Sequence, residues 1–159
     1  MLVDSYSIFT GTTLTTGQTI TTSAASTNVI DGKAMRDLGV GLRPLYVVSQ
    51  LTANMTDSNN NANLTVILTY GIGAGNATTV GQTLHVFAAN SLSGTRKITA
   101  IAPGALPVNN TVDASRFVAL NFTVGGAGTL STGAVASFIT PDIQAFNINQ
   151  KGYTGPSSS

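Results

Sequence analysis

The segment 63–69 reads Asn-Leu-Thr-Val-Ile-Leu-Thr, and it decides the fold class. Its apolar residues Leu64, Val66 and Leu68 alternate with other residues, and successive side chains of an extended chain point to opposite sides. This period of two predicts a β-strand with one face in a hydrophobic core and a wetter outer face. The segment 116–124, Arg-Phe-Val-Ala-Leu-Asn-Phe-Thr-Val, repeats the pattern with a partly apolar outer face.

Shorter apolar runs with strand character lie around these two segments. Stretches rich in Gly, Asn, Asp and Pro separate the runs, which predicts many short strands joined by turns. The connections are too long for simple hairpins, so Greek-key or jelly-roll connections fit better than a plain meander. We therefore predict an all-β, single-domain, jelly-roll-like β-sandwich. The further predicted strands are residues 45–48, 84–87, 98–101 and 135–139.

The two ends of the chain differ from its centre. Residues 10–28 carry no charge and are dominated by Thr, Ser, Gly and Ala. We therefore predict an extended N-terminal arm or edge segment over residues 1–28 and the β-sandwich domain over residues 29–142. Residues 143–159 are predicted to form a polar C-terminal tail.

Charged residues are rare, yet Asp31, Arg36 and Asp37 lie close together in the sequence. We expect them to form an ordered corner in which the ionic pairing is local. Asp31 is also a suitable N-cap for a single helical turn over residues 32–38, which is too short to change the fold class.

Composition narrows the possible functions. Charged residues make up 8% of the chain and its formal net charge is +1, so clustered Lys and Arg for nucleic acid or an anionic membrane are absent. The chain contains no Cys, which excludes disulfides and thiolate sites and suits assembly in a reducing cytosol. We also expect no signal peptide and no membrane span, since no basic start precedes an apolar run.

The motifs that could carry chemistry are incomplete. His85 is the sole histidine, and we expect a structural residue on a sheet face, held by a hydrogen bond. Residues 57–61 match the first half of a calcium loop, but Ala62 replaces the required Gly and Leu68 stands in place of the bidentate acid. The glycine-rich segment 71–76 lacks the last Gly of a dinucleotide loop, and no Gly-x-Ser-x-Gly elbow occurs. We expect no catalytic residue, no metal and no cofactor.

The order of several segments resembles a known family. The most specific is Ala-Ala-Ser-Thr-Asn-Val-Ile-Asp at residues 24–31, together with the Arg-Asp and Leu-Gly that follow it. Others are Met-Leu-Val-Asp-Ser-Tyr-Ser-Ile-Phe at residues 1–9, Pro-Leu-Tyr-Val-Val at residues 44–48, and the segment 116–124. Over residues 1–142 the chain resembles the short capsid cement, or decoration, proteins of tailed bacteriophages.

This resemblance implies a jelly-roll module that binds the outer surface of a shell of major capsid protein, across the joints between capsomers. It implies a homodimer or homotrimer, and a place on the outer capsid surface of the virion after synthesis in the host cytoplasm. Neither an enzymatic activity nor a nucleic-acid or membrane partner is expected. The candidate partner contacts are Asp4, Tyr6, Phe9, Arg36, Arg43, Phe117 and Phe146.

Two other functions stay open at this point. One is a self-assembling capsid or fibre protein, which would also be a binding module without reactive groups. The other is a glycan-binding β-sandwich adhesin. Such adhesins normally present exposed aromatic residues in a groove, whereas this chain has no Trp and four Tyr.

Overall fold

Nine β-strands and one short 3-10 turn make up the regular structure of the residues described by the computed structural model, which are 8–11, 15–31, 44–102, 105 and 116–141. The expected helical turn over residues 32–38 and the predicted tail over residues 143–159 lie outside this set. The 3-10 turn is Ala74–Asn76. The strands are β1 (Gln18–Thr19), β2 (Ala24–Ala25), β3 (Ile30–Asp31), β4 (Tyr46–Thr56), β5 (Asn63–Gly71), β6 (Thr79–Ala88), β7 (Arg96–Ala100), β8 (Phe117–Gly125) and β9 (Thr132–Thr140).

The strands form two antiparallel sheets. One has the order β1-β9-β4-β7, and the other has the order β2-β8-β5-β6 with β3 also paired to β8. Because β2 and β3 pair with different parts of β8, they share one strand position. The paired strands are nested along the chain. The strands β5 and β6 form the innermost hairpin, and β4 and β7, which flank that hairpin in the sequence, pair with each other. Further out, β2 and β3 pair with β8, and β1 and β9 form the outermost pair. Nested pairs that alternate between two sheets make a jelly roll. The predicted all-β, single-domain sandwich is confirmed.

The main core lies between the inner faces of the two sheets. Leu64, Val66 and Leu68 of β5 are at most 1% exposed, as the period of two predicts. Leu120 and Phe122 of β8 are completely buried beside them. Fully burying one such side chain contributes about 1.5–3 kcal/mol, so the central strands supply much of the stability. A second, smaller cluster, Ile8, Val48 and Phe138 with the partly buried Ile98, is separate from this core.

The described residues of the N-terminal segment are integrated into the sandwich. The β1 and β2 strands form edges of the two sheets through their pairing with β9 and β8. Phe9 and Ile20 belong to the main core and are at most 1% exposed. The backbone N–H of Phe9 donates to the carbonyl of Ser137 at 2.8 Å, and the N–H of Ser137 donates to the hydroxyl of Thr10 at 2.7 Å. This segment therefore contributes both backbone pairing and buried side chains.

One glycine marks a close approach between chain segments at the end of the sheets. Gly126, just after β8, has φ of +91°, and an added Cβ there would lie 3.0 Å from the carbonyl carbon of Asn61. A residue with a side chain would be strained in this conformation and would also press on the turn before β5. The glycine thus lets β8 end directly against that turn.

Candidate functional site

The ionisable side chains of the described residues are dispersed. No group of three or more His, Cys, Asp or Glu residues within them is arranged to hold a metal ion. The described carboxylates, Asp31 and Asp57, each accept hydrogen bonds from groups of the protein, and His85 lies on another strand. The described part of the fold therefore offers separate candidate binding surfaces, not one cluster of ionisable groups.

His85 lies on the inward-facing side of β6, where the edge of one sheet meets the edge of the other. It is opposite the core residue Val66 in the register of β5 and β6, and it is 4% exposed. Its Nδ1 atom is 2.9 Å from the hydroxyl of Thr99 on β7, and that hydroxyl donates to the carbonyl of Leu84 at 3.1 Å. A structural hydrogen bond of this kind is what the sequence predicted for a histidine on a sheet face.

The tautomer of His85 follows from this chain of hydrogen bonds. The Thr99 hydroxyl has one proton, which it donates to Leu84, so it must accept a hydrogen bond from Nδ1. The Nε2 atom of the neutral ring then carries a lone pair. Burial, with the positive charge of Lys97 as a second cause, lowers the pKa of His85 to about 4, so the ring is neutral at pH 7. Among the described residues, buried Nε2 has no hydrogen-bond partner.

An open groove of about 430 Å³ lies beside His85, between the edge strands β6 and β7. We call it the β6–β7 groove. Away from the groove, the side chain of Gln82 on β6 bonds to the end of β7. It donates to the carbonyl of Ala100 at 3.2 Å and accepts from the N–H of Ala102 at 2.8 Å. The residues that line the groove are Leu84, His85, Val86, Arg96, Lys97, Ile98 and Thr99.

The groove combines apolar and cationic side chains. Val86 is 45% exposed, which is unusual for a large apolar residue in this protein, and Lys97 is exposed on the opposite strand. Arg96 donates through Nε and Nη2 to Oε1 of Gln50, at 3.2 and 2.5 Å, so its guanidinium is held against the sheet. No carboxylate is present among the described residues that line the groove. The groove thus presents one exposed cation, Lys97, beside one exposed apolar side chain, Val86.

The loop after β4 uses its acidic residue for its own structure. The carboxylate of Asp57 accepts hydrogen bonds from the backbone N–H groups of Asn59, Asn61 and Ala62, at 3.2, 2.7 and 2.7 Å. These bonds, led by the one from Ala62, lower the pKa of Asp57 below its usual range. Both carboxylate oxygens of Asp57 thus act as hydrogen-bond acceptors for the backbone of the turn. The loop resembles a calcium loop in sequence and a self-capped turn in structure.

A second surface site lies where β3 meets β8. Arg116 donates to Asp31 twice, from Nε to Oδ1 at 3.0 Å and from Nη2 to Oδ2 at 2.8 Å. The guanidinium carbon of Arg116 lies 4.7 Å from the ring centroid of Phe117, a cation–π contact. Arg36 and Asp37, the local partners expected for Asp31, lie outside the described residues, and the ion pair that is described spans 85 residues. The reason is that β3 pairs with β8, which brings Asp31 opposite Phe117.

Two of the candidate partner contacts lie among the described residues. Phe9 is completely buried in the core, where its ring fills space between the sheets. Phe117 is partly exposed at the β3–β8 edge, and its role as a partner contact stays a prediction. The remaining candidates lie outside the described residues, and they are Asp4, Tyr6, Arg36, Arg43 and Phe146.

The β6–β7 groove was missed by the sequence analysis. Two local features pointed toward it: Val86 on the outer side of a predicted strand, and the adjacent cations Arg96 and Lys97 just before another. Neither feature says that these two strands are neighbours. The neighbourhood exists only in the folded chain, where β6 and β7 are the outermost described strands of different sheets.

Among the described residues, no helix has the length and apolar character needed to cross a membrane.

Comparisons with known proteins give a family. No curated protein matches the chain. The family model described as Bbp16 matches residues 14–139, which is most of the chain, so the protein belongs to the Bbp16 family.

Proposed function

We propose that this member of the Bbp16 family is a non-enzymatic cement protein of a bacteriophage head. It binds the outer surface of the assembled shell of major capsid protein, across capsomer joints, and stabilises the mature head. The observation that carries the proposal is the jelly-roll nesting of the strands, found in a chain whose segments resemble the capsid cement proteins of tailed phages. The partners are the major capsid protein and a second or third copy of the chain itself.

The described surface fits a binding function that uses neutral contacts. With 8% charged residues, the chain relies on hydroxyl, amide and backbone groups for its polar contacts, and such contacts depend little on salt. Both sheets also end in strands that are outermost among the described residues: β1 and β7 in one sheet, and β6 opposite β2 and β3 in the other. Outermost strands present backbone groups that pair with a neighbouring chain, in this proposal a subunit of the shell or another copy.

A cement protein acts by mass action. A molecule that binds the assembled shell, and not its separated subunits, stabilises the assembly by about 2.7 kcal/mol per site at a free concentration of 100 dissociation constants. Because the shell repeats the site many times, modest binding by each copy gives a large total effect. No reactive group is needed for this activity.

The test compares shells made with and without the protein. We expect shells that lack it to assemble with normal geometry and yield, yet to release DNA at lower temperature or after osmotic shock. Purified protein added back should restore the resistance. If shells fail to assemble without the protein, it is a self-assembling capsid component and not a cement.

A further inference from the structure

We infer that the outer face of β8, β5 and β6 is the surface through which two copies of this chain associate. The inference deepens the proposed function, because it names the place where one of the proposed partners, a second copy, is bound. It rests on that proposal only for the expectation of self-association, and its first test needs no shell.

The register of three long strands defines this face. In β5 the core residues Leu64, Val66 and Leu68 alternate with residues that point away from the core. Residues directly opposite each other in an antiparallel pair lie on the same face, so the partners of these outward residues in β6 and β8 share it. We call this surface the β5 face. It consists of the outward residues of β5 and their partners in β6 and β8, and those of β5 are Asn63, Thr65, Ile67, Thr69 and Gly71.

Two β-bulges set which residues β6 contributes to the face. The register of β6 against β5 shifts twice, and each shift leaves one residue of β6 without an opposite partner. The outward residues of β6 therefore recur at every third position, as Val80, Thr83 and Val86. Val80 is 62% and Val86 45% exposed, whereas the inward Phe87 of the same strand is completely buried. The bulges thus place two exposed valines on one face.

The charge of the face matches that of its own copy. The described residues of the β5 face include no ionisable side chain. The Arg116–Asp31 pair lies at one corner, where β3 meets β8, and its two charges balance each other. A two-fold interface brings a surface against its own copy, so unbalanced charges would meet like charges. A neutral face avoids this cost, and antiparallel sheet faces pack on one another in β-sandwiches.

The size of the face sets the strength of the association. Three strands of about nine residues, at about 4.8 Å between strands and about 3.4 Å per residue, give a footprint of about 400 Å². Stable complexes bury about 800 Å² per partner, so this face alone supports a weak, reversible dimer. Copies that are held side by side on a shell reach effective concentrations of about 1 mM, at which such a dimer forms.

The first experiment measures self-association of the purified protein by sedimentation equilibrium, at concentrations up to about 1 mM. We expect the unchanged protein to form dimers in this range. Thr83→Lys and Thr83→Asp change an exposed residue of the face, and each should weaken the dimer at least about tenfold, because like charges then meet. The matched controls Thr19→Lys and Thr19→Asp change an exposed threonine of the other sheet and should not alter dimerisation. Unchanged protein that stays monomeric, or equal effects at Thr83 and Thr19, would overturn the inference.

Mixed variants test specifically for a second copy. Thr83 and Asn121 are exposed on either side of Ile67, at the middle of the face. In a two-fold dimer centred there, Thr83 of one copy lies opposite Thr83 or Asn121 of the other. Thr83→Lys mixed with Thr83→Asp, or with Asn121→Asp, should therefore recover dimerisation in one of the two mixtures. Recovery in neither mixture would mean that the face does not meet its own copy.

The second experiment identifies the occupant on the shell. Because the chain has no Cys, Ala88→Cys gives a single attachment point for a photoreactive maleimide at an exposed end of the face. Decorated shells are irradiated, and mass spectrometry locates the linked peptide. A link to a second copy supports the inference. A link to the major capsid protein in its place overturns the inference and leaves the proposed function intact. If the unchanged protein does not bind shells, the proposed function is wrong, and dimerisation in solution still decides the inference.

Discussion

At the scale of single residues, His85 and Asp57 show how a protein with few charges uses them inside the structure. The ring of His85 is kept neutral by burial, and the carboxylate of Asp57 is kept charged by backbone N–H groups. Both arrangements lower a pKa, and both make the folded state less stable in acid. They act in different pH ranges because the two groups start from different ordinary values.

The folded protein should lose stability as the pH falls below about 6.5, the ordinary pKa of histidine. Between 6.5 and about 4 the unfolded chain binds a proton at His85 that the folded chain does not, so unfolding becomes easier as the pH falls. The loss is complete below the folded pKa and amounts to about 3 kcal/mol. Denaturant unfolding of the unchanged protein and of His85→Asn at pH 7 and pH 4.5 measures it. An equal pH dependence in both proteins would contradict the assignment to His85.

Asp57→Ala should lower the melting temperature more than Asp57→Asn. The alanine leaves the N–H groups of Asn61 and Ala62 without their carboxylate acceptor, while the asparagine keeps one acceptor oxygen. Because the folded pKa of Asp57 is lowered, its contribution is present above the ordinary value of 3.8 and is lost as the pH falls through the folded pKa. Thermal melts at pH 7 check the order of the variants, and added calcium should raise neither melting temperature.

At the scale of strands, an apolar side chain can be fully buried on a central strand and largely exposed on an outermost one. Leu120 lies on β8, between β5 and the short strands β2 and β3, and it is completely buried. Val80 lies on the edge strand β6 and is 62% exposed. Both are apolar residues of a β-strand, so the difference between them comes from the position of the strand and the face on which the residue lies.

We expect Leu120→Ala to cost about 2–5 kcal/mol of the free energy of unfolding, because it removes buried methyl groups and leaves a cavity. Val80→Ala should change the same quantity by at most about 0.5 kcal/mol. Urea unfolding followed by circular dichroism compares the two variants. Similar losses in both would mean that the core is not centred on the β5–β8 pair.

At the scale of the whole molecule, the nested strand pairs tie the two ends of the sandwich together. The outermost pair, β1 with β9, joins Gln18 to Val135, and the ring of Phe9 lies in the same core as the residues of β5 and β8. The sandwich therefore depends on residues that precede the domain boundary at residue 29 expected from the sequence.

Deleting residues 1–28 should prevent the protein from folding. The deletion removes β1 and β2, together with two completely or almost completely buried side chains, Phe9 and Ile20, from the core. As a milder variant, Phe9→Ala should fold but lose about 3–5 kcal/mol. Circular dichroism and thermal melts measure both. A cooperative melt of the deleted chain at the original temperature would show that the first 28 residues are a dispensable arm.

The sequence alone was enough to predict which side chains face the core along the long strands. Leu64, Val66 and Leu68 could be assigned to one face because the alternation of side chains is a property of a few consecutive residues. It also determined that a chain without Cys has no thiol chemistry. These conclusions need no knowledge of which segments are neighbours in space.

The neighbours of each strand could be identified only in the folded chain, and the ion pair and the groove depend on them. Asp31 meets Arg116 because β3 pairs with β8, and His85 meets Thr99 because two sheet edges lie side by side. Many pairings would satisfy the local alternation of each strand equally well. The choice among them depends on burying all the apolar faces at once, a requirement of the whole chain that no short segment carries.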